Sequence, residues 1–95
     1  MNVDYDYSFR ISSESDGVIG CGVSLTYCGE MNLLTTFRAF PNKAGIYRIV
    51  EERGEERFFH CSVPRKEVRS TLKELAEGAC VDDFQTKLKA MRFMR

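Results

Sequence analysis

The chain has 95 residues, 43% hydrophobic and 12% aromatic, which is enough apolar material for one packed domain and excludes a compositionally disordered protein. Fourteen Lys/Arg balance fourteen Asp/Glu, and a net charge of zero argues against a dedicated non-specific nucleic-acid binder. The balance is uneven along the chain: residues 1–63 carry six Lys/Arg against nine Asp/Glu, a net of −3, and residues 64–95 carry eight against five, a net of +3.

The opening MNVDYDYSFR is acidic and alternating. It has no basic segment leading into an apolar one, so no secretory signal is expected. No apolar run approaches the ~20 residues of a membrane span. The expected location is the cytoplasm, where the four cysteines are reduced thiols.

Val3, Tyr5, Tyr7, Phe9 and Ile11 alternate with polar residues, which predicts a strand with one buried face. A polar turn over Ser12–Gly17 leads to a second strand with Ile19, Cys21, Val23, Leu25 and Tyr27 on one face. Its other face carries Gly20 and Gly22, which predicts a bulge or the close approach of another element. Cys28-Gly29-Glu30 reads as a turn, and Leu33–Phe40 as a third strand closed by Pro41-Asn42. Ile46–Glu51 and Arg57–Val63 form a hairpin around the charged tip Glu52-Arg53-Gly54-Glu55. The third strand and this hairpin have apolar residues of both parities. A one-residue slip would exchange which of Phe58 and Phe59 points inward, so the register stays open.

After Pro64 the apolar period changes from two to between three and four, which marks helix. Ser62 is read as a cap and Pro64 as a first-turn residue. Val68, Leu72, Leu75, Ala76 and Ala79 share one stripe, and Gly78 is read as a stop. Asp82 with Gln85 resembles a capping box opening a second helix, whose stripe is Val81, Phe84, Leu88 and Met91. The expected fold is therefore α+β: one domain over 1–95, with an antiparallel sheet of about five strands in 1–63 and two helices in 64–95 packed on one face.

The candidate chemistry is thin. Cys21, Cys28, Cys61 and Cys80 contain no closely spaced pair of the kind zinc sites favour. His60 adjoins Cys61, but strand neighbours point to opposite faces, so the two are not expected to pair. Glu51-Glu52 and Glu55-Glu56 flank a solvated hairpin tip, and Asp82-Asp83 opens a helix, so no carboxylate is assigned to acid–base work. The glycines do not link a strand to a helix as a phosphate loop requires. No metal, cofactor or catalytic residue is assigned.

The functional expectation rests on the two-faced strands. Two helices cover one side of a five-stranded sheet, and an exposed apolar face marks an interaction site unless Met31–Leu34 or the C-terminal tail folds over it. The leading expectation is a non-enzymatic module that binds another protein, in the manner of an inhibitor, immunity-type protein, adaptor or phage-encoded regulator. Its expected contact residues are Tyr47, Arg48, Phe58 and His60, and a homodimer is compatible with the same face. The alternative is a nucleic-acid binder using Lys66, Arg69, Lys73, Lys87, Lys89, Arg92 and Arg95. A third reading is a small enzyme built on His60 and the thiols.

Overall fold

A computed structural model of the chain describes residues 5–93; Val3 and Arg95 lie outside them. Five strands follow one another: β1 (Tyr5–Ser13), β2 (Ile19–Tyr27), β3 (Glu30–Pro41), β4 (Ile46–Arg53) and β5 (Glu56–Pro64). They pair antiparallel in sequence order, so β1 and β5 are the edges. Pro64 is extended and ends β5; a 3₁₀ turn at Arg65–Glu67 then leads into α1 (Val68–Phe93). Ser62 pairs with Arg48 inside the β4–β5 ladder, and no side-chain hydrogen bond caps the turn.

The turns follow local chemistry. Cys28 and Gly29 both have positive φ, 53° and 80°, which is the twist a two-residue hairpin needs between right-twisted strands. Gly54, with φ 58°, does the same between β4 and β5. Between β3 and β4, the Asn42 side-chain oxygen accepts hydrogen bonds from the backbone N–H of Ala44 and Ile46, at 2.8 and 3.0 Å.

The expected pair of helices is one helix of 26 residues. Gly78 lies inside it rather than at a stop, and Asp82 opens nothing. A helical glycine costs about 1 kcal/mol relative to alanine, too little to break a helix held on both sides. Before Gly78, Val68, Leu72 and Ala76 are fully buried against the sheet. After it, Tyr7 donates to the Asp83 carboxylate at 2.7 Å, and Phe84 meets the edges of the Tyr5 and Tyr7 rings.

The core lies between α1 and one face of the sheet. It is built from Cys21, Val23, Phe37, Ala39, Tyr47 and Ile49 with Val68, Leu72 and Ala76. The helix packs mainly on β1, β2 and β3. Two bulges feed extra residues onto this face. Val23 pairs with Thr35 but Ser24 with Leu33, so Leu34 is supernumerary and packs against the core. Ile49 pairs with Cys61 but Val50 with Phe59, so His60 is supernumerary. No helix of the described residues is long and apolar enough to cross a membrane.

Candidate functional site

The four residues expected to contact a protein divide between the two faces. Tyr47 is buried at 7% exposure beneath the helix side of the sheet. Phe58 pairs with Glu51, also on the helix side, and remains 43% exposed. Arg48 lies on the opposite, open face. His60 is brought to the helix side by its bulge.

That bulge corrects the parity argument. His60 Nε2 lies 2.8 Å from Glu51 Oε1, and its ring centroid is 5.5 Å from that of Phe37. Cys61, paired with Ile49, faces the same side, so the two neighbours do not point apart. No hydrogen bond joins them among the described residues. Glu51 is 5% exposed and fully engaged: its Oε2 accepts from Thr35 Oγ1 and Arg53 Nε, both at 2.6 Å. Burial pushes its carboxyl upward, but the hydrogen bonds from Thr35, His60 and Arg53 outweigh it and hold the carboxyl below its usual range. A cleft of about 280 Å³ opens beside this cluster, lined by Leu34, Thr35, Arg53, Ala79, Asp82, Asp83 and Thr86. Every buried polar side-chain atom among the described residues has a partner, as expected of a structural network.

The thiols are all free. Burial raises Cys21 and Cys80, with nearby acids adding to the effect at Cys80. A raised thiol has less thiolate and is a poorer nucleophile.

The open face is different in kind. Over β1 and β2 it is polar and smooth. Only Gly20 is closely approached there, by a side chain rather than by another element: a Cβ at Gly20 would meet the Glu14 carboxylate, whereas one at Gly22 would be in ordinary contact, 3.6 Å from Leu33. Met31 and Leu33 do not fold over the apolar part of the face; they belong to β3 and stay 70% and 67% exposed. Over β3–β5 the face gathers Phe40, Val50 and Phe59, of which Phe40 and Phe59 are 38% and 56% exposed. These residues, with Arg48, Glu52 and Arg57, line a shallow depression of about 460 Å³.

Cross-strand pairing explains this cluster. Phe40 lies opposite Arg48, and Val50 opposite Phe59. The Arg48 guanidinium sits over the Phe59 ring, 5.0 Å from its centroid. A line of alternating charge crosses the sheet beside it. Glu14 bonds Arg38 at 3.2 Å, Arg38 bonds Glu52, and Glu52 meets Arg57 at 3.2 Å. No carboxylate among the described residues lies within ion-pairing distance of Arg48. Parity in the sequence pointed to a second apolar face, but it could not select Phe59 over Phe58 because the bulge at His60 resets the alternation.

The basic residues do not converge. Lys66 and Arg69 lie with Arg65 near the start of α1, beside Ser13 and Ile19. Lys73 is 4.0 Å from Glu77, and Lys87 is 2.7 Å from Asp83. Lys89 and Arg92 are exposed near the other end of α1. A helix of this length spans about 39 Å, so the cations form two separate groups. No family model, curated protein or solved structure matches the chain.

Proposed function

We propose that the protein is a non-enzymatic binding module whose open sheet face over β3–β5 receives another protein. The observation that carries this reading is the exposed cluster of Phe40, Val50 and Phe59, bordered by Arg48 and the Arg38–Glu52–Arg57 line. Apolar side chains at the centre, with arginines and matched charges around them, are the composition of a recognition patch. The partner this patch fits presents an apolar side chain next to a carboxylate, which answers the unpaired Arg48. Such a module acts as an inhibitor, an immunity-type protein, an adaptor or a regulator, by occupying a surface rather than by chemistry.

The fully engaged Glu51 cluster and the raised Cys21 and Cys80 thiols support a non-catalytic role. The separation of the basic residues into two groups favours a protein over a nucleic acid as partner. The test is capture from the native host with three tagged proteins: wild type, Phe59→Ser and Arg48→Glu. A stoichiometric protein that survives nuclease and disappears with both variants is the expected result. Equal recovery by all three would refute the assignment to this face.

A further inference from the structure

The two edges of the sheet are guarded differently. At β1 the helix stands close: Tyr7 donates to Asp83 at 2.7 Å, and Phe84 meets the rings of Tyr5 and Tyr7. At β5 every residue from Glu56 to His60 is exposed, and the helix packs elsewhere, mainly on β1, β2 and β3. Phe58 and Phe59 stand on opposite faces of this edge. Natural edge strands are commonly blunted by lysine or proline. Neither interrupts Glu56–Val63. The bulge at His60 confines the regular stretch to the first half of the strand.

The backbone of this stretch specifies the kind of partner. Arg53 and Glu56 close the hairpin around Gly54-Glu55. The closing pair of such a hairpin exchanges both backbone hydrogen bonds, and the pairs alternate from there. Phe58 therefore directs its N–H and C=O to Glu51, whereas Arg57 and Phe59 turn theirs outward. An outward row of backbone donors and acceptors fits another extended strand.

The side chains select which strand. When β5 pairs antiparallel with a second β5, opposed residues share a face. The two-fold axis must then pass through a residue, because an axis between residues opposes the two faces to each other. On Glu56 or Arg57 it would put like charges in contact. On Phe59 or His60 it would set an open-face residue against Cys61 of the helix side, because the bulge resets the parity. On Phe58 every pair agrees. Phe58 meets its own copy, Arg57 lies opposite Phe59, and Glu56 lies opposite His60. The first is an aromatic pair, the second repeats the arrangement of Arg48 over Phe59, and the third joins a carboxylate to an imidazole. The same axis makes Arg57 and Phe59 the hydrogen-bonded pair, as their outward N–H and C=O groups require.

We propose that β5 pairs antiparallel with β5 of a second copy of this chain, about an axis at Phe58, so that one sheet runs through the dimer. Both faces of the sheet stay free, so this pairing and recognition of another protein by the open face do not depend on each other.

The test uses the whole protein. A stretch this short buries less than a standard interface, so the dimer is expected to dissociate at about 10–100 µM. In sedimentation equilibrium at ~500 µM the mass should approach twice the monomer's, and Phe58→Lys should keep the fold and return the monomer. Amide exchange followed by NMR should slow at Arg57 and Phe59 by at least about twofold between ~20 and ~500 µM, with no change along β1. In a Cys28→Ser background, Phe58→Cys should link two chains under mild oxidation by diamide, because the axis brings the Cα atoms of position 58 to about 4.5 Å. Ser62→Cys, also exposed on this strand, should not. Arg48→Glu should leave the dimer intact, which separates this pairing from recognition by the open face. The proposal is overturned by a monomer at ~500 µM, by a dimer indifferent to Phe58→Lys, or by equal linking through positions 58 and 62. A monomer whose β5 binds extended peptides from a displayed library would give the edge to a strand of another protein and overturn self-pairing.

Discussion

The two faces of the sheet come from the same five strands and differ in what covers them. On the helix side, Val23, Ala39, Ile49, Val68, Leu72 and Ala76 are fully buried and interlock across the layer. On the open side, Phe40 and Phe59 keep more than a third of their surface in solvent, although their strand neighbours are core residues. Position along the strand therefore does not determine an apolar residue's role. The helix, which crosses β1 to β3, determines it. Under the proposed function, substitutions on the first face should change stability, and those on the second should change binding.

The largest expected effect is on the covered face. Leu72→Ala removes a fully buried side chain and should cost about 2–5 kcal/mol in urea unfolding, through lost transfer energy and a residual cavity. A loss below about 1 kcal/mol would mean that the helix does not pack as described.

Next is Glu51, the polar member of that face. Glu51→Gln weakens a charge-assisted network and leaves Arg53 without its carboxylate, which should cost about 1–3 kcal/mol. The pH dependence has a definite sign. Glu51 and Asp83 are both held below the usual carboxylate range, the first by Thr35, His60 and Arg53 and the second by Lys87 and Tyr7, in each case against the upward push of burial. Their contribution is complete above an unfolded carboxylate value of about 4 and is lost as pH falls through the lower folded values. Glu51→Gln should flatten that acid limb in a series of thermal melts. An unchanged limb would place the sensitivity elsewhere.

A smaller effect of opposite sign tests the single helix. A Cβ at Gly78 meets nothing within 4 Å. Gly78→Ala should therefore stabilise by about 0.5–1 kcal/mol. If Gly78 instead ended one helix in a left-handed cap, the same change would destabilise.

The open face should respond far less than the covered one. Phe59→Ser should cost only about 1 kcal/mol, from the lost contacts with Arg48 and Val50, because Phe59 is 56% exposed. A change comparable to that of Leu72→Ala would collapse the contrast between the faces.

Much of this architecture was legible in the sequence where period was regular. The alternation of Tyr5 to Ile11 and Ile19 to Tyr27 gave β1 and β2 their inner faces, and Val68, Leu72 and Ala76 gave the docking stripe. The reading failed where local chemistry lost to tertiary contact. Gly78 and Asp82 looked like a stop and a start, yet packing on either side carries the helix through. It also failed at Leu34 and His60, because one extra residue in a strand reverses parity and leaves no distinctive composition. The second apolar face was legible as two-faced strands, while its membership was not. Tyr47 and Phe58 belong to the helix side, and Phe40, Val50 and Phe59 form the open cluster.

The most direct test is site-specific photocrosslinking in the native host, with a photoreactive phenylalanine analogue replacing Phe59 and, as a control, Ser8 on the polar part of the same face. The account predicts a discrete crosslink from position 59 to a different protein and none from position 8. Crosslinks from both positions alike, from neither, or from position 59 only to another copy of this chain would contradict it.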